Sequence, residues 1–546
     1  MYSWLVVLPP LIVIVLATVT RKISWSIFAG IVAGLLILHD FSLPIVAQDF
    51  GARLWQTVEM DTLLAGDIFS VTYIYICLFL LVLTVIVTML GHSGGAQAYG
   101  NFVMKYLKRP EQAERASLLL SLFFCIDDYF SSLAVGSVMQ PVTDRFKIAR
   151  VKLALLVNGM AAPLVVLFPV SSWVAEIMMN LRISGVGPEA AVGVLVKADL
   201  LPLYFSIIPF LFYAVFAIAA LWILVIMRCS YGLLLKHEDI AQRTGNLFAG
   251  KMPLNRRFAN TSKDAQIKPA LIDFLFPMLL LFVAVFVAIL YFGNWSVFGG
   301  QATLLLALQK SNIAAALFWG ASVTLLVSTV FLLVRRKLQC RQLPSIMSEG
   351  VMLMLPSVIT LVLLWTLSSL LKGDLATGKY LASLFGDNVN LACLPAVFFL
   401  FAALTATAMG SVWGTIAIYV SISVPMLVSL SGVALPTTVA GLPLLVPLLG
   451  GVISGALVGN HLSPISDTML MSSTSTGTYH SDLVRVQFAF SMPIVAAAAL
   501  SFLIAGAMVS NGYGLGITAL TGIGVGLACV VIQFKLFSYW SKRKSA

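Results

Sequence analysis

The stretch Leu457-Val458-Gly459-Asn460-His461-Leu462-Ser463-Pro464-Ile465-Ser466-Asp467-Thr468 decides the fold. It ends an apolar run over 437–459, and its Gly, Asn and Pro break the helix that such a run forms. The break frees backbone amides and carbonyls beside one carboxylate, one imidazole, one amide and three hydroxyls. Within a bilayer such backbone is tolerated only where it lines a cavity. A second stretch, Leu156-Val157-Asn158-Gly159-Met160-Ala161-Ala162-Pro163, matches the first at a separation of 301 residues. Ser171-Ser172 and Ser472-Ser473 follow the two prolines at the same distance. Two similar breaks in two halves of one chain predict an internal repeat.

The surroundings of the breaks are apolar. Of 546 residues, 60% are hydrophobic and 10% are charged. A soluble chain carries about 25% charged residues, so this one cannot cover its surface in water. That excludes a soluble enzyme, a nucleic-acid binder and a disordered scaffold, and makes the lipid bilayer the main partner. Apolar runs near 4–20, 23–38, 67–90, 153–175, 201–227, 269–292, 312–334, 350–371, 437–459, 491–510 and 515–534 approach the length of a span. Two more, near 116–142 and 391–430, are broken by polar or Gly residues and read as re-entrant or interrupted hairpins. Arg21 and Lys22 follow the first run rather than precede it, so it reads as a span and not as a cleaved signal. Six cysteines show no CxxC or Cys/His spacing and read as small buried hydrophobes.

The charges set the topology. If both broken regions return to their own side, 27 of the 33 Lys and Arg fall on one side and 6 on the other. By the positive-inside rule the basic side, with the C-terminus, is cytoplasmic. The net charge of +11 then reflects topology and contact with anionic lipid. The first half holds five spans and one hairpin, and an odd count turns the second half over. The predicted fold class is an all-α polytopic membrane protein of about 11 spans plus two hairpins in two inverted repeats. The first repeat covers 1–227, a basic cytoplasmic linker 228–268, the second repeat 269–510, and an extra span with a basic tail 511–546. Inverted repeats with helices broken at the midplane are the architecture of secondary transporters.

Five acids fall inside apolar segments. Asp67 and Asp273 lie near span ends, where water is close, and read as structural. Asp127, Asp128 and Asp467 lie deeper, with no basic residue inside the spans to pair with. Such carboxylates mark ion or proton pathways. At the second break, Asn460, Ser463, Ser466, Asp467 and Thr468 offer oxygen ligands for a hard cation, with Asp467, Ser466 and Asn460 as candidate Na+ ligands. His461 is either a proton carrier or a hydrogen-bonded strut. In the first half, adjacent helical residues point about 100° apart, so one of Asp127 and Asp128 faces a cavity and the other caps a helix or meets a neighbour. Which does which stays open at this point. Asn158, Ser171 and Ser172 are ligands or packing groups at the first break. No P-loop, G-x-S-x-G or H-E-x-x-H motif occurs, so a pump and an intramembrane hydrolase built on His461 and Ser463 are remote alternatives. The chain reads as a non-enzyme with no cofactor.

Asp127-Asp128-Tyr129-Phe130-Ser131-Ser132-Leu133-Ala134-Val135-Gly136, followed by Pro141 and Thr143-Asp144-Arg145, resembles the D-D-Y-F-N-x-L-x-V-G…R-P-x-T-D motif of the NhaC-type Na+/H+ antiporter family. Ser93-Gly94-Gly95-Ala96, Ala161-Ala162-Pro163, Pro169-x-Ser171-Ser172-Trp173 and Ser463-Pro464-Ile465-Ser466-Asp467-Thr468 extend the resemblance from about residue 60 to about 500. It implies a secondary transporter of the bacterial inner membrane, with Na+ and H+ as partners and Na+/H+ antiport as the activity. Coupled transport or exchange of a small carboxylate or amino acid is the alternative, since some relatives move such solutes. Asn158 and Asn460 stand where the family often has Asp, and Ser131 where it has Asn. Proton coupling then falls to Asp467, Asp127, Asp128 or His461.

Overall fold

The computed structural model describes residues 4–66, 71–169, 171–188, 193–252, 270–304, 306–307, 311–385 and 390–545. Asp67, Lys263, Lys310 and most of the linker's second half lie outside them. Among the described residues, 11 helices are long and apolar enough to cross a bilayer. Their outer faces are apolar too: Leu279, Val283 and Phe286 on one helix and Val323, Leu326 and Val330 on another are exposed. Water would penalise that surface and lipid does not. The chain is a multi-pass helical membrane protein.

The helices sort into two bundles. Tyr73–His92, Ile272–Phe292, Ile313–Val334 and Leu343–Lys372 pack on one another. The other bundle is built around the breaks. It contains a hairpin of Pro110–Leu122 and Asp128–Arg145, then Arg150–Leu167 and Ser172–Ile183 joined across a kink. Its second part repeats this order: a hairpin of Leu394–Met409 and Val412–Leu430, then Leu445–Leu462 and Asp467–Ser475 across a kink. Phe212–Met227 and His480–Ser510 pack against both parts, and Leu515–Ser545 packs on these two helices.

The expected hairpins form, and each has a physical cause. The first turns at Phe123–Asp127, where Asp127 is extended and caps the next helix by accepting the Phe130 N–H at 2.9 Å. The second turns at Gly410, whose φ of +71° suits glycine, and at Ser411, which accepts the Gly414 N–H at 3.1 Å. Both ends of the first hairpin lie on the face that gathers ion pairs: Arg228 with Glu111, Lys152 with Glu114 and Glu238, and Arg150 with Asp144. The ends of the second lie on the other face, where Gly506 sits against Ala392, just ahead of its first helix. That face also carries a short parallel sheet, Val186–Gly187, Val196–Lys197 and Thr437–Thr438 in that order.

Small residues hold the second part together. An added Cβ on Gly451, Gly455 or Gly459 would come within 2.4, 2.3 and 2.5 Å of Pro395, Phe399 and Ala406. The 445–462 helix therefore lies almost backbone to backbone on the 394–409 helix, as small residues allow between membrane helices.

Several expectations need correction. The two parts correspond at a separation of 295 residues and not 301: the kinked helices cover 150–167 and 445–462, and their continuations start at Ser172 and Asp467. Pro169-x-Ser171-Ser172 then answers Pro464-x-Ser466-Asp467. The 153–175 run is not one helix, because it stops at Leu167 and restarts at Ser172. The 201–227 run is split by the turn Ile208–Phe210. The first two runs make helices of only 13 and 16 residues, short of the roughly 20 that a full span needs. Asp273 is not near water: it is fully buried, and Arg335 and Lys337 reach its carboxylate at 2.5 and 3.2 Å.

Candidate functional site

Each hairpin tip meets a kink. At the first meeting, the Ser172 N–H donates to Ile126 O at 3.1 Å, and Ser172 Oγ donates to Asp127 Oδ2 at 3.2 Å. At the second, Gly410 lies against Ile465 and Ser463. The two meetings are joined by the Trp173 and Trp413 rings, 4.7 Å apart between centroids. They are also joined by Tyr129, whose hydroxyl donates to Asp467 Oδ2 at 3.3 Å.

Beside this junction, between the two bundles, lies a cavity of ≈ 190 Å³. Asp127, Tyr129 and Phe130 from the first hairpin and Asp467 and Met471 from the second kink line one wall. Leu80, Leu83, Thr84, Val87, Met354 and Ser357 of the 73–92 and 343–372 helices line the other. Among the described residues no basic side chain lines it or pairs with its two acids. The carboxylates occupy opposite slots of the two parts. Asp127 caps the first tip where Ser411 caps the second, and Asp467 opens the second continuation where Ser172 opens the first.

The predicted residues divide into three groups. Asp127 and Asp467 face the cavity; Asp467 is exposed to it, so it is less deep than its sequence position implied. Asp127 both caps a helix and lines the cavity, so the two roles offered to the aspartate pair fall on one residue. Asp128 turns away. It is 2% exposed beside Trp173, and its Oδ1 has no hydrogen-bond partner.

A second, charge-neutral group surrounds the second kink. Ser466 Oγ donates to Asn460 Oδ1 at 3.2 Å and lies 3.0 Å from Thr468 Oγ1. Asn158 Nδ2 donates to Asn460 O at 3.4 Å and to Gln487 Oε1 at 3.3 Å, and Asn158 Oδ1 accepts from Ser472 at 3.5 Å. Asn158 thus ties the first half to the second. The three candidate Na+ ligands do not converge: Ser466 and Asn460 are buried together, while Asp467, one residue on, turns about 100° away toward the cavity.

The third group packs. Ser171 caps the 172–183 helix through Val174 N and donates to Val165 O at 2.8 Å. Ser463 is buried and accepts from Ile465 N. His461 Nδ1 lies 2.7 Å from the Tyr213 hydroxyl, a strut between helices and no partner for Ser463. No group of three or more His, Cys, Asp or Glu able to hold a metal occurs among the described residues.

Glu176 and Gln487 were missed from sequence. Glu176 is 1% exposed and accepts from Trp365 Nε1 at 3.0 and 3.1 Å and from Asn180 Nδ2 at 2.8 Å. The signal was Pro169 followed by the Ser171 cap: a helix that restarts at Ser172 carries Glu176 one turn inside, whereas a span ending at 175 leaves it in a loop.

Two bundles, broken helices at their contact and unpaired acids facing a cavity define a secondary transporter. The sequence model of the Na+/H+ antiporter family matches residues 164–507. The chain belongs to this family. It is 28% identical over 517 residues to an uncharacterised protein of Haemophilus influenzae, covering 94% of this chain and 93% of that one. Among solved structures it is similar to the Alcanivorax borkumensis YdaH transporter, with a TM-score of 0.44 at 12% identity over 84% of this chain and 89% of that one.

Proposed function

We propose that this protein exchanges Na+ for H+ by alternating access, one bundle moving against the other. The observation that carries the reading is the pair Asp127 and Asp467, brought from the two halves into one cavity with no basic partner. A carboxylate so placed is held either by a proton or by a cation, and antiport needs that competition. The Ser172 hydroxyl bonded to Asp127 and the Tyr129 hydroxyl bonded to Asp467 offer neutral oxygens beside the two acids to replace water around a bound Na+. We read the two parts as inverted repeats, supported by hairpins whose ends lie on opposite faces. The cavity walls include Val87 and Leu353, on the side of the basic loops. With that side cytoplasmic, in a bacterial inner membrane, the cavity is open inward and the C-terminus lies inside.

Coupled transport of a small solute is the second reading, favoured by a volume of ≈ 190 Å³ that exceeds the need of one Na+. An amino group suits its two acids; a lone carboxylate finds no cation there. The test is Na+-driven dequenching of a pH dye in everted vesicles. Exchange predicts dequenching on adding Na+. Active protein that moves no protons but takes up a solute with Na+ overturns exchange in favour of the second reading.

A further inference from the structure

Glu176 has no place in the cavity just described, yet it is the most deeply buried acid near it. It lies one turn beyond Ser172, on the same face of the 172–183 helix. That helix runs away from the basic face, toward Arg182 and its contact with Thr72 on the far side. A void of ≈ 10 Å³ separates Glu176 from the tip of the first hairpin. Asp127, Tyr129, Ser172, Glu176, Ser357 and Trp413 bound it. That is room for one water, with several polar partners to hold it. Asp127, Tyr129 and Ser357 also line the main cavity, so the void continues it outward past Trp413.

We propose that Glu176 is a second proton-carrying site, outward of the cavity, which trades its proton with Asp127 through the water-sized void beside Ser172. The step balances. Glu176 gives its carboxyl proton to the bridging water, which passes a proton to the Asp127 carboxylate. Glu176 is left as an anion held by the Trp365 indole N–H, shared between its two oxygens, and by the Asn180 amide. The side chains hydrogen-bonded to its carboxylate are donors, which suits a group that must bear charge without a cation. Its titratable neighbours are Tyr73 and Cys77 on the 73–92 helix and Asp127 and Tyr129 at the tip. The 343–372 and 412–430 helices bring Trp365, Ser357 and Trp413, which do not titrate, and the 150–167 and 200–207 helices bring it no charge. During exchange Asp127 faces the cavity and Glu176 the far side, so the proton need not follow the Na+ route throughout.

The inference rests on the exchange reading, and the test separates the two. Purified wild type, Glu176→Gln and Glu176→Asp are reconstituted and compared in two assays. One is 22Na uptake driven by a pH gradient; the other is 22Na exchange at equal Na+ and pH on both sides, which needs no net proton movement. Glu176→Gln should lose roughly tenfold or more in the first assay and stay within about twofold in the second. Glu176→Asp should recover gradient-driven uptake with a displaced dependence on outer pH. Unchanged gradient-driven uptake in Glu176→Gln overturns the proposal. So does equal loss of both fluxes in both variants, which marks a structural residue. If Glu176→Gln does not fold, Glu176→Asp decides: an undisplaced pH profile overturns the proposal. Wild type with no Na+/H+ exchange refutes the exchange reading instead. Infrared titration then decides on Glu176: a protonated-carboxyl band present in wild type and absent from the Gln variant supports the proton site, and no such band overturns it.

Discussion

Asp127 caps a helix with Oδ1, accepts from Ser172 with Oδ2 and lines the cavity, and its capping role and its charge separate on substitution. Asn caps as well as Asp, so Asp127→Asn should keep the fold and lose the charge. We expect Na+-dependent flux to fall by roughly 100-fold, about 2.7 kcal/mol, with melting unchanged. Asp128→Asn, away from the cavity, should cost less than about tenfold. Equal losses in flux assays of the two variants would argue that both residues are structural. Asn460 permits a complementary test. Asn460→Asp adds a titrating group to a neutral cluster, so the apparent Na+ affinity should fall more steeply at acid pH than in wild type. An unchanged slope in Na+ titrations would place that cluster outside the ion path.

At the scale of elements, the turns and seams decide what moves. A methyl on Gly410 meets a positive φ and an Ile465 carbon at 2.5 Å. Gly410→Ala should slow transport with little change in expression, because it jams the tip against the kink. Gly455→Leu should instead lower thermal stability by about 1–3 kcal/mol of overpacking, read as a drop in melting temperature. On the face opposite the basic loops, His39 and Arg53 reach Asp49 on the Leu43–Thr57 helix. Burial raises this carboxyl's pKa, but hydrogen bonds from His39 and Arg53 outweigh it and hold the group below the ordinary aspartate value. The stabilisation is full above the unfolded pKa of about 3.9 and is lost as pH falls through the lower folded value. The melting difference between wild type and Asp49→Asn should therefore hold from neutral pH down to about 4 and shrink below it.

The elements were unequally legible. Both hairpins could be read because Gly or adjacent acids interrupt long apolar runs. The kinks could be read from Pro beside Ser. The repeat register could not: in a chain this rich in Leu, Val and Gly, Leu-Val pairs recur by composition, and only the helix ends fix 295. Side-chain direction was also hidden, so Asp467 was grouped with Ser466 and Asn460, though a helix start sends neighbours apart. Glu176 was hidden by the same uncertainty about where a helix restarts.

At the scale of the whole molecule, the cavity lies between two bundles that meet along few helices. Its accessible side should show by chemistry. Cysteine at Leu353 or Leu133, both cavity-lining, should react with an impermeant thiol reagent in inside-out vesicles and resist it in right-side-out ones. Na+ should slow the reaction. Reaction from the outer side alone would reverse the orientation proposed here.

Two fused copies of one ancestral segment begin with identical residues at both tips and both kinks. Here one copy keeps its acid at the tip, Asp127, and the other at the kink, Asp467. On the reading of the halves as repeats, duplication has been followed by division of labour. Neither half, paired with a copy of itself, would set one tip acid beside one kink acid. On that reading each half needs the other: a pair of first halves would hold two tip acids, a pair of second halves two kink acids, and neither pair one of each.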